Sequence, residues 1–216
     1  MPALITWWTQ DLAALSPTAA TGAVAAAGVD LLARWSEPHR RYHSTGHLVE
    51  LFWALEDLEA AGEVTARDGA VGRVAGWLHD AVYDPAAPPG ANEVASADLA
   101  GSVLTGLGCS DDDVATVVAL VRLTDGHGAG DGQALTRVFH DADLWILAAP
   151  EDRYVVYCRQ VREEYAAVPD RAFRAARSRI LGDFLRRDRL YLTDHGEAAW
   201  SGAARINLRR ELDRLA

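Results

Sequence analysis

Lysine is missing from this 216-residue chain: all 21 basic residues are arginine, set against 31 acidic ones, for a formal charge of −10. That balance excludes a nucleic acid polymer as an obligate partner, because a phosphate backbone is held by clustered cations. It also argues against an anionic membrane surface. A small phosphorylated substrate stays open, since a bound cation supplies positive charge locally. Cysteine is scarce as well. Cys109 and Cys158 form neither a CxxC pair nor a disulfide pattern, which suits a reducing cytoplasm. No apolar run approaches the ~20 residues of a membrane span. The opening "MPALITWWTQDLAALSP" lacks the basic stretch and long apolar core of a secretory signal. Sustained apolar–polar alternation of strand type is also absent.

What is present is helical. Half the residues are hydrophobic, enough for the core of one large domain. In "STGHLVELFWALEDLEAAG", Leu48, Leu51, Phe52, Leu55 and Leu58 follow the helical period, with Ser44 or Thr45 as cap and Gly62 as stop. "TARDGAVGRVAGWLHDAVYD" predicts a helix ended by Pro85. "EVASADLAGSVLTGLG" predicts another, capped by Asn92. "ALTRVFHDADLWILAAP" predicts a third, with Asp143 inside it. Trp7, Trp8, Trp53, Trp77 and Trp145 are expected to pack in the core or a groove, and Asn207 on a surface helix. The fold class is therefore all-α. Abundant Ala, Gly, Arg and Asp suggest a GC-rich bacterial genome.

Three short stretches carry chemistry. His43 and His47 in "YHSTGH" are four residues apart and share one face of a helix or of the turn leading into it. His79 and Asp80 adjoin in "GWLHDAVYD". Neighbours on a helix point ~100° apart, so both reach one ion only near a helix end or in a crevice. Asp141 and Asp143 lie in the apolar "FHDADLWIL" segment, where a buried carboxylate is costly unless it is paired or bound to a metal. Taken singly, each stretch also fits a structural histidine pair, a chance dipeptide or a paired acid.

Taken in order, His47, His79-Asp80 and Asp143 resemble the H…HD…D signature of the HD superfamily of metal-dependent phosphohydrolases, over most of the chain. "YHSTGHL" is similar to the YHN-x-x-H motif of small bacterial members, with Ser44 where that motif usually has Asn. "YDP…NEVASA", "LTDGH" and "REEYAAVP" resemble later parts of the same branch. The resemblance implies a single HD-type helical domain, with a metal-site core over about 38–147 and C-terminal helices over 150–216 packed on it. It implies that His47, His79, Asp80 and Asp143 hold a divalent cation, with Asp143 and not Asp141 as the last ligand. It makes His43 the candidate general acid, and on chemical grounds Asp80 could hold the metal and still accept the nucleophile's proton.

Imidazole with carboxylate suits Mn, Fe, Co, Ni or Zn, with Mg also open, better than Ca. The expected substrate is a small phosphate ester, nucleotides included. Arg41, Asp84, Glu93, His127 and His140 are candidates for substrate contact or a second metal. Arg40 is a candidate anion contact, and Arg205 a residue that reaches the site. Two alternatives stay open. A di-iron oxygenase of the same fold would draw on His127 and His140. A regulatory module would bind metal or nucleotide without catalysis.

Overall fold

The computed structural model describes residues 2–126 and 132–216. Among them it contains ten α-helices, one short 3-10 segment and no strand, so the protein is all-α. The helices are α1 (Pro2–Leu15), α2 (Thr21–Trp35), α3 (Thr45–Ala60), α4 (Ala66–His79), α5 (Ala91–Gly106) and α6 (Asp111–Leu123). They continue with α7 (Ala134–Asp143), α8 (Glu151–Glu164), α9 (Asp170–Arg186) and α10 (Asp194–Leu215), and the 3-10 segment Trp145–Ala148 joins α7 to α8. No helix is long and apolar enough to cross a membrane.

The bundle is built around α4. Residues 69–72 and 74–79 of this helix are all buried, leaving only a short exposed side, and a helix that is apolar all round belongs in a core. It packs against α1, α3, α5, α6 and α7. A capping box fixes its start: Thr65 accepts from the Asp68 N–H, and the Asp68 carboxylate accepts from the Thr65 N–H. Gly76 lets α3 come close. A Cβ there would lie 2.7 Å from Leu51 Cδ2 and 3.0 Å from Phe52 Cε1. This tight contact brings His47 on α3 towards His79 on α4. Ser44 caps α3, and Gly62 at φ +80° ends it, with the Glu63 N–H donating back to the Leu58 carbonyl.

Several boundaries differ from the sequence reading. The fourth helix stops at His79, not at Asp84, and Asp80 leaves helical geometry at φ −113°, ψ 22°. The buried Arg40 guanidinium donates to the carbonyls of Asp80 and Ala81, satisfying groups that a continuing helix would have used. Helix α5 begins at Ala91 after Gly90 at φ +78°, so Asn92 is not its cap. Instead the Asn92 amide pairs with both the N–H and the carbonyl of Asp84 and closes the proline-rich loop.

Asp143 is the last residue of α7, not a mid-helix residue. The carbonyls beyond it are taken by side chains of α10 and the turn before it: Tyr191 OH donates to Leu144, and Asn207 Nδ2 donates to Leu147 and Ala149. Asn207 is thus buried, not a surface residue. Trp8 and Trp77 sit in the core as expected, whereas Trp53 is 57% exposed.

Candidate metal centre

Four potential donors lie side by side, Asp143 against both imidazoles and Asp80 against His79. His47 comes from the first turn of α3, His79 and Asp80 from the end of α4, and Asp143 from the end of α7. The Nε2 atoms of the two histidines are 3.3 Å apart. Asp143 Oδ1 lies 3.2 Å from His47 Nε2 and 3.4 Å from His79 Nε2. Asp80 Oδ2 lies 3.0 Å from His79 Nε2. The adjacent His79 and Asp80 reach one point because the helix ends between them.

The other ring nitrogens are occupied in a way that suits ligation. His79 Nδ1 is 2.8 Å from the Gly76 carbonyl, which can only accept, so Nδ1 carries a proton. His47 Nδ1 is 3.0 Å from the Tyr42 hydroxyl. The carbonyl fixes the His79 tautomer and leaves its Nε2 as the donor atom, and the Tyr42 hydroxyl, which can donate or accept, orients the His47 ring with Nε2 towards the same point. For a neutral His79 with its proton on Nδ1, the Nε2 lone pair would face two carboxylates and a second imidazole. That cluster of lone pairs is repulsive without a positive charge at its centre. Burial lowers the pKa of His79, yet the charges of Asp80 and Asp143 outweigh it and hold the imidazole well above its usual value. Burial raises the pKa of Asp80, and His79 overrides it, keeping the carboxyl ionised. The set demands a cation, whether a proton or a metal ion. Two imidazoles with two carboxylates suit a divalent transition ion; His47, His79 and Asp80 place three ligand atoms within 4.8 Å of one another, and Asp143 joins them through its contacts to the two imidazoles.

His43 stands beside this set. It lies in the turn before α3, its ring centroid 6.0 Å from that of His47. Its Nδ1 is 2.7 Å from Oε2 of Glu164, a residue whose side chain is fully buried. The same carboxylate accepts the main-chain N–H groups of Arg41, Tyr42 and His43 and the hydroxyl of Tyr83. Burial works against the charge of both partners. Even so, the bond to His43 and the main-chain donors bring the Glu164 pKa down to about 2, and Glu164 with Asp80 brings that of His43 up.

The donors line a cleft of about 820 Å³, together with Asp84 and Glu93. Asp84 is exposed, with Oδ1 accepting from the Ala86 N–H, and Glu93 is in the first turn of α5. Arg41 turns outward and donates to the carbonyls of Pro38 and Arg40; it is not among the lining residues. Arg40 is spent on Glu37 and the carbonyls of His43, Asp80 and Ala81, so it ties the two histidine-bearing turns together and does not offer itself to an anion.

Asp141 points away from the cleft set. Its oxygens accept from the Leu192 and Thr193 N–H groups and the Thr193 hydroxyl at 2.6–2.8 Å. His140 is buried with Nδ1 2.8 Å from Asp141 and Nε2 3.5 Å from Arg187 Nη1, and is not among the lining residues. His127 lies outside the described residues. Arg205 donates to carbonyls of Leu185, Arg187 and Asp188.

Sequence reasoning missed Glu164. A signal was available: on α8, Tyr154, Tyr157, Val161 and Glu164 are the buried positions, so this acid falls on the apolar stripe at helical spacing. No family model, curated protein or solved structure matches the chain.

Proposed function

We propose that the protein is a metal-dependent phosphohydrolase of the HD type, acting on a small phosphate ester, with His47, His79, Asp80 and Asp143 as metal ligands. The observation that carries this reading is the convergence of two Nε2 atoms and two carboxylates at the floor of a cleft, each Nδ1 already engaged elsewhere. A divalent cation held there supplies Lewis acidity, acidifying a water molecule and offsetting charge on a phosphoryl oxygen.

The chain's own residues supply the rest. Asp80 has the most exposed carboxylate of the set, its side chain 14% accessible against 8% for Asp143, and it is ionised. It accepts the proton of the attacking water. Glu164 holds the Nδ1–H of His43, which leaves Nε2–H to donate to the leaving oxygen. Such general acid catalysis is worth roughly 10²–10⁴ in rate. Tyr42 keeps His47 oriented, and Arg40 fixes the turn carrying His43 against the turn carrying Asp80.

Purification without chelator or affinity metal, followed by elemental analysis and a phosphate-ester screen, tests the reading. Roughly one or more transition ions per chain and chelator-sensitive hydrolysis are expected. A metal-bearing protein with no hydrolysis across the screen would leave a binding module. A visible iron spectrum with oxygen consumption would point to the oxygenase.

A further inference from the structure

Helix α9 forms one wall of the cleft, and its composition is unlike that of the rest of the chain. Phe173, Arg177, Ile180 and Phe184 line the cleft at spacings of four and three, a single helical face, and Arg187 lines it just past the helix end. From Asp170 to Arg187 there are six arginines and two aspartates, a local charge of +4 in a chain of −10. Not all of these cations are available. Arg177 is bound to Glu211 and the Tyr157 hydroxyl, and Arg186 is paired with Asp183.

Arg179 and Arg187 also line the cleft, and Arg187 is the one held against α7. Its guanidinium lies over the Phe184 ring at 4.5 Å and 3.5 Å from His140 Nε2. Among the described residues, no carboxylate lies within 4.0 Å of it. Burial disfavours its charge and Asp183 offsets that only in part, so its pKa falls. Yet it is held in position. Asp141, fixed by Leu192 and Thr193, keeps a proton on His140 Nδ1, and His140 Nε2 then accepts from Arg187. His140 lies three residues before Asp143 on α7, and Arg187 and Asp143 line the same cleft.

Charge bookkeeping gives this cation a purpose. A divalent ion with the Asp80 and Asp143 carboxylates sums to zero, and so does the His43–Glu164 pair. A phosphate monoester carries nearly two negative charges at neutral pH, its second pKa being about 6. It needs a cation that the ligand set does not provide. The cleft's 820 Å³ also exceeds what a phosphate fills and lies within the roughly 300–1,000 Å³ of small-molecule sites.

We propose that Arg187, positioned by the Asp141–His140 pair, contacts the phosphate of a monoester, and that the apolar face of α9 receives its organic group. This rests on the phosphohydrolase reading above. The test is calorimetric titration of the full chain with inorganic phosphate and with phenylphosphonate, a monoester-like probe that cannot be hydrolysed. Metal content is measured on the same samples, and each titration is repeated on chelator-treated protein.

Arg187→Gln should weaken both probes by about tenfold or more, the value of a charge-assisted hydrogen bond, with metal content unchanged. Arg187→Lys should recover part of the loss. Ile180→Ala, at an exposed position, should weaken phenylphosphonate a few-fold and leave phosphate alone. Wild-type affinity for both probes in metal-bearing Arg187→Gln overturns the phosphate contact. Unchanged phenylphosphonate affinity in Ile180→Ala overturns the apolar wall. If the wild-type chain holds no metal, the function proposed above fails and titration of the metal-free chain decides this inference alone. Phosphate binding that Arg187→Gln abolishes then upholds it, and a wild-type chain that binds no phosphate overturns it.

Discussion

Replacing Glu164 by glutamine keeps the shape of the side chain and removes one charge from the point on which the His43 turn hangs. The carboxylate receives five donors: three main-chain N–H groups, the His43 imidazole and the Tyr83 hydroxyl. Glutamine can keep its oxygen on the main-chain side. Its amide nitrogen then faces His43 Nδ1 and Tyr83, where two donors meet a donor. The tyrosine must rotate and the histidine must change tautomer. All five bonds lose the carboxylate charge, and the two to His43 and Tyr83, which also lose their geometry, account for about 1–1.5 kcal/mol each. For a chain of this length about 2–3 kcal/mol lowers Tm by roughly 4–12 °C.

The pH dependence follows from the shifts. Glu164 titrates near 2 in the fold, so its contribution is present above the ordinary carboxylate range and fades as pH falls from ~4.3 towards 2. The pKa of His43 is raised, so its contribution is complete below ~6.5 and fades as pH rises through the folded value. The gap between wild type and Glu164→Gln should therefore peak between about pH 4.5 and 6.5. Thermal unfolding of both proteins in chelator at about pH 3, 5.5 and 9 measures it. A gap that is negligible at pH 5.5, or equal at all three, refutes the reasoning.

His43→Ala should keep its metal and lose about 10²–10⁴ in turnover on alkyl phosphates, with a smaller loss on p-nitrophenyl phosphate, whose leaving group hardly needs a proton; steady-state kinetics on both substrates decides. Gly76→Ala should cost about 1–3 kcal/mol by overpacking against Leu51 and Phe52 and weaken metal binding by parting α3 from α4. Denaturant unfolding with a metal titration checks both.

The helices were legible because their apolar spacing and caps are local. Ser44 and Gly62 act where the sequence puts them. The errors lie where a distant side chain takes over a backbone group: Arg40 at the end of α4, Asn207 after α7, and Asn92 turning back to Asp84. The same holds for the site. Histidines and acids placed against the core stand out in one dimension. The partners that orient them do not, since Glu164 is over 120 residues from the turn it holds, and the role of His140 depends on an arginine 47 residues away.

The most direct test of the metal centre compares two carboxylates two residues apart. Asp143 Oδ1 lies among the imidazole nitrogens, whereas Asp141 is consumed by Leu192, Thr193 and His140. Elemental analysis of Asp143→Asn and Asp141→Asn, purified alike, should find metal lost from the first and retained at wild-type stoichiometry in the second, with Asp141→Asn the less stable protein. Metal retained in Asp143→Asn and lost from a folded Asp141→Asn would contradict the account.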